Sequence, residues 1–307
     1  GGKPRRYSVI AVLFAISGLI CWCGISQVIS NSVSSSFQNA FNIPPLYSTV
    51  LLVALAAVIV LRKNASVKVL DVLVPIMAGC YFLITIFLLI KNAALLPSVF
   101  QRIFEEAFGI RQVVAGGFGA VLMQGVKRGL FSNEAGMGST PHAHAIAKVE
   151  RPRDQGVMAM MGVFIDTFVI LTLTALVILS SGALSSGKTG TELAQAAFHA
   201  SFGYAGDVFI AVCILFFAFS TIIGWYFFGQ SNVKALFGKK AIKVYALLVV
   251  LFVIVGSAQQ VDLVWNLSDL FNGLMVIPNL LGLLALSGLV VKLAKDRTDG
   301  LPGSSRK

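Results

Sequence analysis

Long apolar runs recur eight times along the chain, at 7–30, 46–62, 69–91, 111–131, 156–182, 206–229, 242–258 and 263–291. A helix crosses the hydrocarbon core of a bilayer with about 20 mostly apolar residues. Each run therefore predicts a spanning helix. The run 242–258 is short and ends at the polar turn Ser257-Ala258-Gln259-Gln260. Two stretches between runs carry a different pattern. LPSVFQRIFEEAF (96–108) has apolar residues at helical spacing, with Gln101, Arg102, Glu105 and Glu106 between them. TELAQAAFHASF (191–202) opens on Thr191, a residue type that caps helices. Both predict amphipathic helices lying at the membrane interface. The end from Asp296, DRTDGLPGSSRK, is polar and predicts a disordered cytoplasmic tail over 296–307, after one transmembrane domain over 1–295.

The fourth run is interrupted. Between Ala115 and Ala145 stand seven glycines, Gly116, Gly117, Gly119, Gly125, Gly129, Gly136 and Gly138, together with Gln124, Asn133 and Glu134. Each glycine weakens a helix by roughly 1 kcal/mol relative to alanine. Irregular backbone at membrane depth is tolerated only where it is buried in protein or lines a cavity. Glycine-broken hydrophobic segments point to transporter binding sites, where free N–H and C=O groups meet a ligand. Close helix packing through small residues is the alternative.

Composition agrees with a membrane protein: 57% of residues are hydrophobic, 12% are charged, and mean hydropathy is +0.85. Cys21, Cys23, Cys80 and Cys213 all lie in apolar runs and read as packing residues. The net charge of +11 does not signal nucleic acid, because the charge is sorted by side. Eight spans put both termini together. Twenty of the 24 basic residues, Lys127 and Arg128 among them, then fall on the side of the termini; Lys91, Arg102, Arg111 and Lys188 fall opposite. Positive loops face the cytoplasm, which places both ends there, in a cytoplasmic membrane. The start at Gly1-Gly2-Lys3-Pro4 carries no Met and reads as the beginning of a fragment.

The stretch GGFGAVLMQGVKRGLFSNEAG (116–136) resembles the signature of the alanine or glycine:cation symporter family. The similarity continues through QGVMAMMGVFIDT (155–167), FAFSTIIGW (217–225) and LVWNLSDLFNGLM followed by IPN (263–279). The resemblance implies an all-α, LeuT-type fold of two inverted five-helix halves. On that template the eight transmembrane helices correspond to core helices three to ten, with the first two before Gly1. The implied activity is sodium-coupled symport of a small neutral amino acid, alanine or glycine. No cofactor is implied, and Na+ is the coupling ion. CWCGISQ (21–27) departs from the family's usual Gly-Asn-containing wording at its third core helix.

Several residues carry candidate chemistry. Gln124 offers a donor and an acceptor to a zwitterion, Phe118 and Met123 an apolar wall, and the backbone near Gly119 and Gly125 carbonyls for an ammonium. Trp22 is a further wall candidate. Ser220 and Thr221 are adjacent hydroxyls deep in a span, and such pairs bond back to carbonyls one turn earlier. They are equally the neutral oxygens that sodium prefers, with the carbonyl of Phe217 as a third ligand. The resemblance places a sodium site at this segment and turns Trp225 toward the substrate. Asp166 is an ionisable residue within a span, where function is the default reading. It can ligate the ion or carry a proton. Asp269 reads as part of an external gate, near the outer end of the last span. Asn133 and Glu134 read as an inner latch, with Lys127 or Arg128 as partners of Glu134. His142 and His144 are too few to ligate a metal. Three rival readings are a proton-coupled carrier using Asp166, an intramembrane aspartyl enzyme using Asp166 and Asp269, and a membrane scaffold. The enzyme lacks the Gly-x-Gly-Asp context, and the scaffold leaves the broken helix unexplained.

Overall fold

The computed structural model describes residues 8–61, 63–108, 117–134 and 136–295. The described chain is helical. Its main elements are α1 (Val9–Phe41), α2 (Pro45–Leu61), α3 (Lys63–Lys91), α4 (Leu96–Phe108) and α5 (Gly117–Asn133). They continue as α6 (Pro152–Ser180), α7 (Gly190–Phe202), α8 (Tyr204–Phe237), α9 (Ala241–Ser257) and α10 (Val261–Lys295).

Among the described residues, five stretches are long and apolar enough to cross a membrane: Val9–Phe41, Val74–Lys91, Pro152–Ser180, Tyr204–Phe237 and Val261–Ala294. The described residues of the eight apolar runs fall largely on helices, but α2, α5 and α9 have 17 residues each, short of that length. The described part of the fourth run begins at Gly117. The segment 109–116 and the tail 296–307 lie outside the described residues.

Helix α1 is the hub and packs against α8, α9 and α10. It runs past the apolar sequence to Phe41, through a stretch rich in Ser, Asn and Gln. Those residues stay helical because their side chains bond within the helix: Ser26 donates to the Trp22 carbonyl, Ser30 to Gln27, and Ser36 to Val33. Small residues then allow close approach. At Gly256 on α9, an added Cβ would sit 2.4 Å from the Gln27 Cα. Asn31 fastens the same contact by donating to the carbonyls of Gly256 and Gln259.

Helix α7 differs from expectation. It does not lie free at an interface. Gln195, Ala197 and Phe198 on it are buried against the bundle. Gln195 donates to the carbonyls of Ser36 on α1 and Asp207 on α8, and His199 pairs with Asp207 at 2.6 Å. Thr191 does not cap the helix; its hydroxyl donates to the Ser32 carbonyl. Helix α4 is amphipathic as its sequence predicts, with an Arg102–Glu106 pair on its exposed face. The four cysteines are free; Cys21 and Cys213 are buried, Cys23 is half-buried and Cys80 is exposed.

Candidate functional site

The break in the glycine-rich stretch falls after the helix, not within it. Gly119, Gly125 and Gly129 are ordinary helical positions of α5, with open space where a Cβ would stand. The helix ends at Asn133. Glu134 then takes φ +53, Gly136 φ +106 and Gly138 φ +89, and one helical turn, Pro141–His144, follows. Left-handed backbone at Gly136 and Gly138 needs glycine. Position 138 needs it twice, since a Cβ there would lie 2.6 Å from both Asn279 Oδ1 and Phe14.

Side chains hold this unwound segment on several sides. Asn279 Nδ2 donates to the Gly136 carbonyl at 2.7 Å. Ser139 and Thr140 donate to the Glu134 carboxylate at 2.6 and 3.3 Å. His142 bonds Ser139 and Asn232, and its ring packs among Phe14, Trp22 and Phe228. On the other side α6 carries a π-helical stretch, Ile165–Leu171. Such wide turns re-aim side chains and occur at functional sites. Here the stretch brings Asp166 to the Ser132 hydroxyl and Thr167 to Asn133 Oδ1, each at 2.6 Å.

A cavity of about 760 Å³ opens beside the unwound segment, bordered by Arg128, Glu134, Phe217, Thr221, Trp225 and Trp265 among others. A second, of about 770 Å³, lies across Asn133 and Glu134 toward Met160 and Asn279. Glu134 borders both cavities. On α8 the Ser220 and Thr221 hydroxyls both donate to the Phe217 carbonyl at 2.8 Å, gathering three neutral oxygens within one turn. Trp225 is one turn further along and is buried, in T-shaped contact with Trp22.

Several sequence expectations change. Gln124 is exposed, Met123 is 57% exposed, and neither borders either cavity. The Phe118 side chain lies outside the described residues. Trp22 is 2% exposed and belongs to the core between Trp225 and His142, so it backs the cavity wall without lining it. Glu134 does not pair with Lys127 or Arg128. Its left-handed backbone folds the carboxylate onto Ser139 and Thr140 instead. Arg128 Nη2 donates to both carboxylate oxygens of Asp269 at 2.5 Å, with Lys127 Nζ 3.8 Å from the same carboxylate and the guanidinium 4.7 Å above the Trp265 ring. Asp269 and Arg128 thus stand at one level. Lys127 and Arg128 cannot belong to the far-side loop charges while Asp269 is near the opposite surface.

Sequence reasoning passed over Arg128 as a partner for Asp269, and passed over Asn279. The second had a signal, an amide directly after Pro278 in an apolar run.

These features define a multi-pass helical membrane protein whose helices are interrupted beside a cavity. The sequence model of the sodium:alanine symporter family matches residues 3–301, and the chain belongs to that family. It is similar to the amino-acid carrier protein AlsT of Bacillus subtilis, with 38% identity over 94% of this chain and 62% of the relative. It is also similar to the probable sodium/glutamine symporter GlnT of Bacillus subtilis, with 40% identity over 97% of the chain and 63% of the relative. The sodium/alanine symporter AgcS of Methanococcus maripaludis is 36% identical over 94% of the chain and 64% of its own length. The chain spans less than two thirds of the length of each of these relatives.

Proposed function

We propose that this chain forms most of a sodium-coupled symporter that carries a small neutral amino acid, alanine or glycine, across the cytoplasmic membrane. In this reading the fold is LeuT-type, the eight helical runs all cross the bilayer as one domain with both ends cytoplasmic, and the protein is a carrier, not an enzyme. The observation that carries the proposal is the cavity at which Glu134, the first residue of the unwound segment, meets Phe217, Thr221 and Trp225 of α8. Family membership supports sodium and an amino acid as the transported pair.

The chemistry follows from the groups present. Sodium is held by neutral oxygens, and the Phe217 carbonyl with Ser220 Oγ and Thr221 Oγ1 supplies three. Rotating each O–H away from the carbonyl turns oxygen lone pairs to the ion. Trp225 walls the cavity for a small side chain, and Glu134 offers its charge to the ammonium. Glu134 also stands between the two cavities, where a change in its hydroxyl partners would open one side and close the other. Arg128 and Asp269 brace α5 against α10 at the cavity edge, as a gate pair. Sodium couples to the amino acid by stabilising the conformation that binds it.

The test is uptake of labelled alanine by the full-length protein in proteoliposomes. An inward Na+ gradient should drive accumulation, and a proton gradient without Na+ should drive none. Proton-driven uptake that disappears in Asp166→Asn would replace sodium by a proton carried on Asp166. No uptake of alanine or glycine under either gradient would overturn the substrate assignment.

A further inference from the structure

We infer that the groove between α1, α8 and α9 is a binding site for one acyl chain of an anionic phospholipid, with the headgroup held by the lysines of the α8–α9 turn. The inference is independent of the transported substrate. The groove holds about 350 Å³. Trp22, Tyr245 and Val249 form its floor and are buried; Phe237, Val244 and Leu248 stand at its rim and are exposed. The positions contributed by α9 (241, 244, 245, 248, 249 and 252) form one continuous helical stripe, so the groove runs along that helix.

Two of its polar groups are committed within α1, and the rest of its lining is almost wholly apolar. Cys23 Sγ donates to the Leu19 carbonyl and Ser26 Oγ to the Trp22 carbonyl, each within α1. The Tyr245 hydroxyl is wedged over Gly229, where a Cβ would collide with it. The surface left to an occupant is hydrocarbon. A hydrophilic ligand would lose its water there without compensation, whereas an alkyl chain gains about 25 cal/mol for each Å² it covers.

The charge sits at one end. Helix α8 stops at Phe237, Gly238 reverses the chain at φ +80, and α9 begins at Ala241. Phe237, Ala241 and Val244 close the groove there. Beside them Lys234, Lys239, Lys240 and Lys243 are all exposed. Among the described residues none of the four forms an ion pair. The sequence has no Asp or Glu between Asp207 and Asp262, so the α8–α9 segment itself supplies no acidic partner. Four exposed cations at the mouth of an apolar slot complement a phosphodiester attached to a hydrocarbon tail. Basic clusters between transmembrane helices recognise anionic lipid headgroups, and lysine stems reach to the headgroup layer. The tail would rest on Trp22, whose ring meets Trp225 of the candidate site on its other side.

Native mass spectrometry of the full-length protein tests this. The protein is equilibrated in detergent with equal amounts of phosphatidylglycerol and phosphatidylcholine, and retained lipid is counted. Phosphatidylglycerol should be retained about tenfold over phosphatidylcholine, given the attraction that each near-surface lysine contributes. Replacing Lys239, Lys240 and Lys243 together by Gln should bring the two lipids to near equality. Leu248→Trp should fill the groove and remove retained phosphatidylglycerol while leaving the lysines. The lysine variant alters exposed positions only, so its result stands even where the filled groove lowers yield. Equal retention of both lipids by the parent, or undiminished preference in the lysine variant, would overturn the site. Full phosphatidylglycerol retention by Leu248→Trp would do the same.

Discussion

At the residue scale, two glycines of one stretch separate backbone need from open space. Gly138 has φ +89, and a Cβ would strike Asn279 and Phe14; Gly125 is helical with nothing within 4 Å of the added atom. Gly138→Ala should lower stability by about 1–3 kcal/mol through strain and overpacking. Gly125→Ala should be neutral or raise stability by up to about 1 kcal/mol. Thermal unfolding in detergent measures both, and equal midpoints would contradict the placement of the break. The sequence exposed the glycine-rich stretch but not the position of its interruption. Gly119, Gly125 and Gly138 look alike as letters, and only the packing partners of Gly138 distinguish them. The hydroxyl pair was legible, because Ser220 and Thr221 bond one turn back whatever else they do. Gln124 and Met123 have chemistry that suits a substrate, but which face of α5 carries them is not legible in the sequence; both stand on an exposed face and border neither cavity.

At the scale of elements, the unwound segment and the π-helical stretch of α6 form one joint. Asp166 to Ser132, and Thr167 to Asn133, tie α6 to the last turn of α5. No hydrophobic period reveals the π-helical stretch, since Pro152–Ser180 reads as one apolar span and the wide turn appears only as a hydrogen-bond pattern. Asp166→Asn keeps an oxygen acceptor for Ser132, so Na+-driven alanine uptake should persist at a measurable level. Asp166→Leu leaves that hydroxyl without its partner and should reduce uptake at least tenfold, about the 1.4 kcal/mol within the range of a lost buried hydrogen bond. Equal uptake in both variants would separate the tie from transport. Helix α7 gives a related lesson. Its amphipathic letters were plain, but its burial rests on Gln195 reaching two carbonyls from distant helices, which no local pattern encodes.

At the scale of the whole molecule, the all-helical, membrane-spanning character was legible from the apolar runs, five of which are long and apolar enough to cross a membrane among the described residues. Their vertical register was not. The Arg128–Asp269 pair fixes α5 beside the first turns of α10, and joins residues 141 positions apart. Asp269→Asn should destabilise the protein, and exchanging the pair as Arg128→Asp with Asp269→Arg should recover part of the loss. Thermal midpoints of the single and double variants would give a coupling of about 0.5–3 kcal/mol; a coupling near zero would mean the pair does not hold the register.

The central claim is that the cavity at Phe217, Thr221 and Trp225 binds sodium and an amino acid together. The most direct measurement is the Na+ concentration for half-maximal alanine binding by the full-length protein, in the parent and in Ser220→Ala with Thr221→Ala. The claim predicts a rise of about tenfold or more in the variant, the equivalent of about 1.4 kcal/mol, with the unfolding midpoint little changed. The same Na+ dependence in both proteins would contradict it.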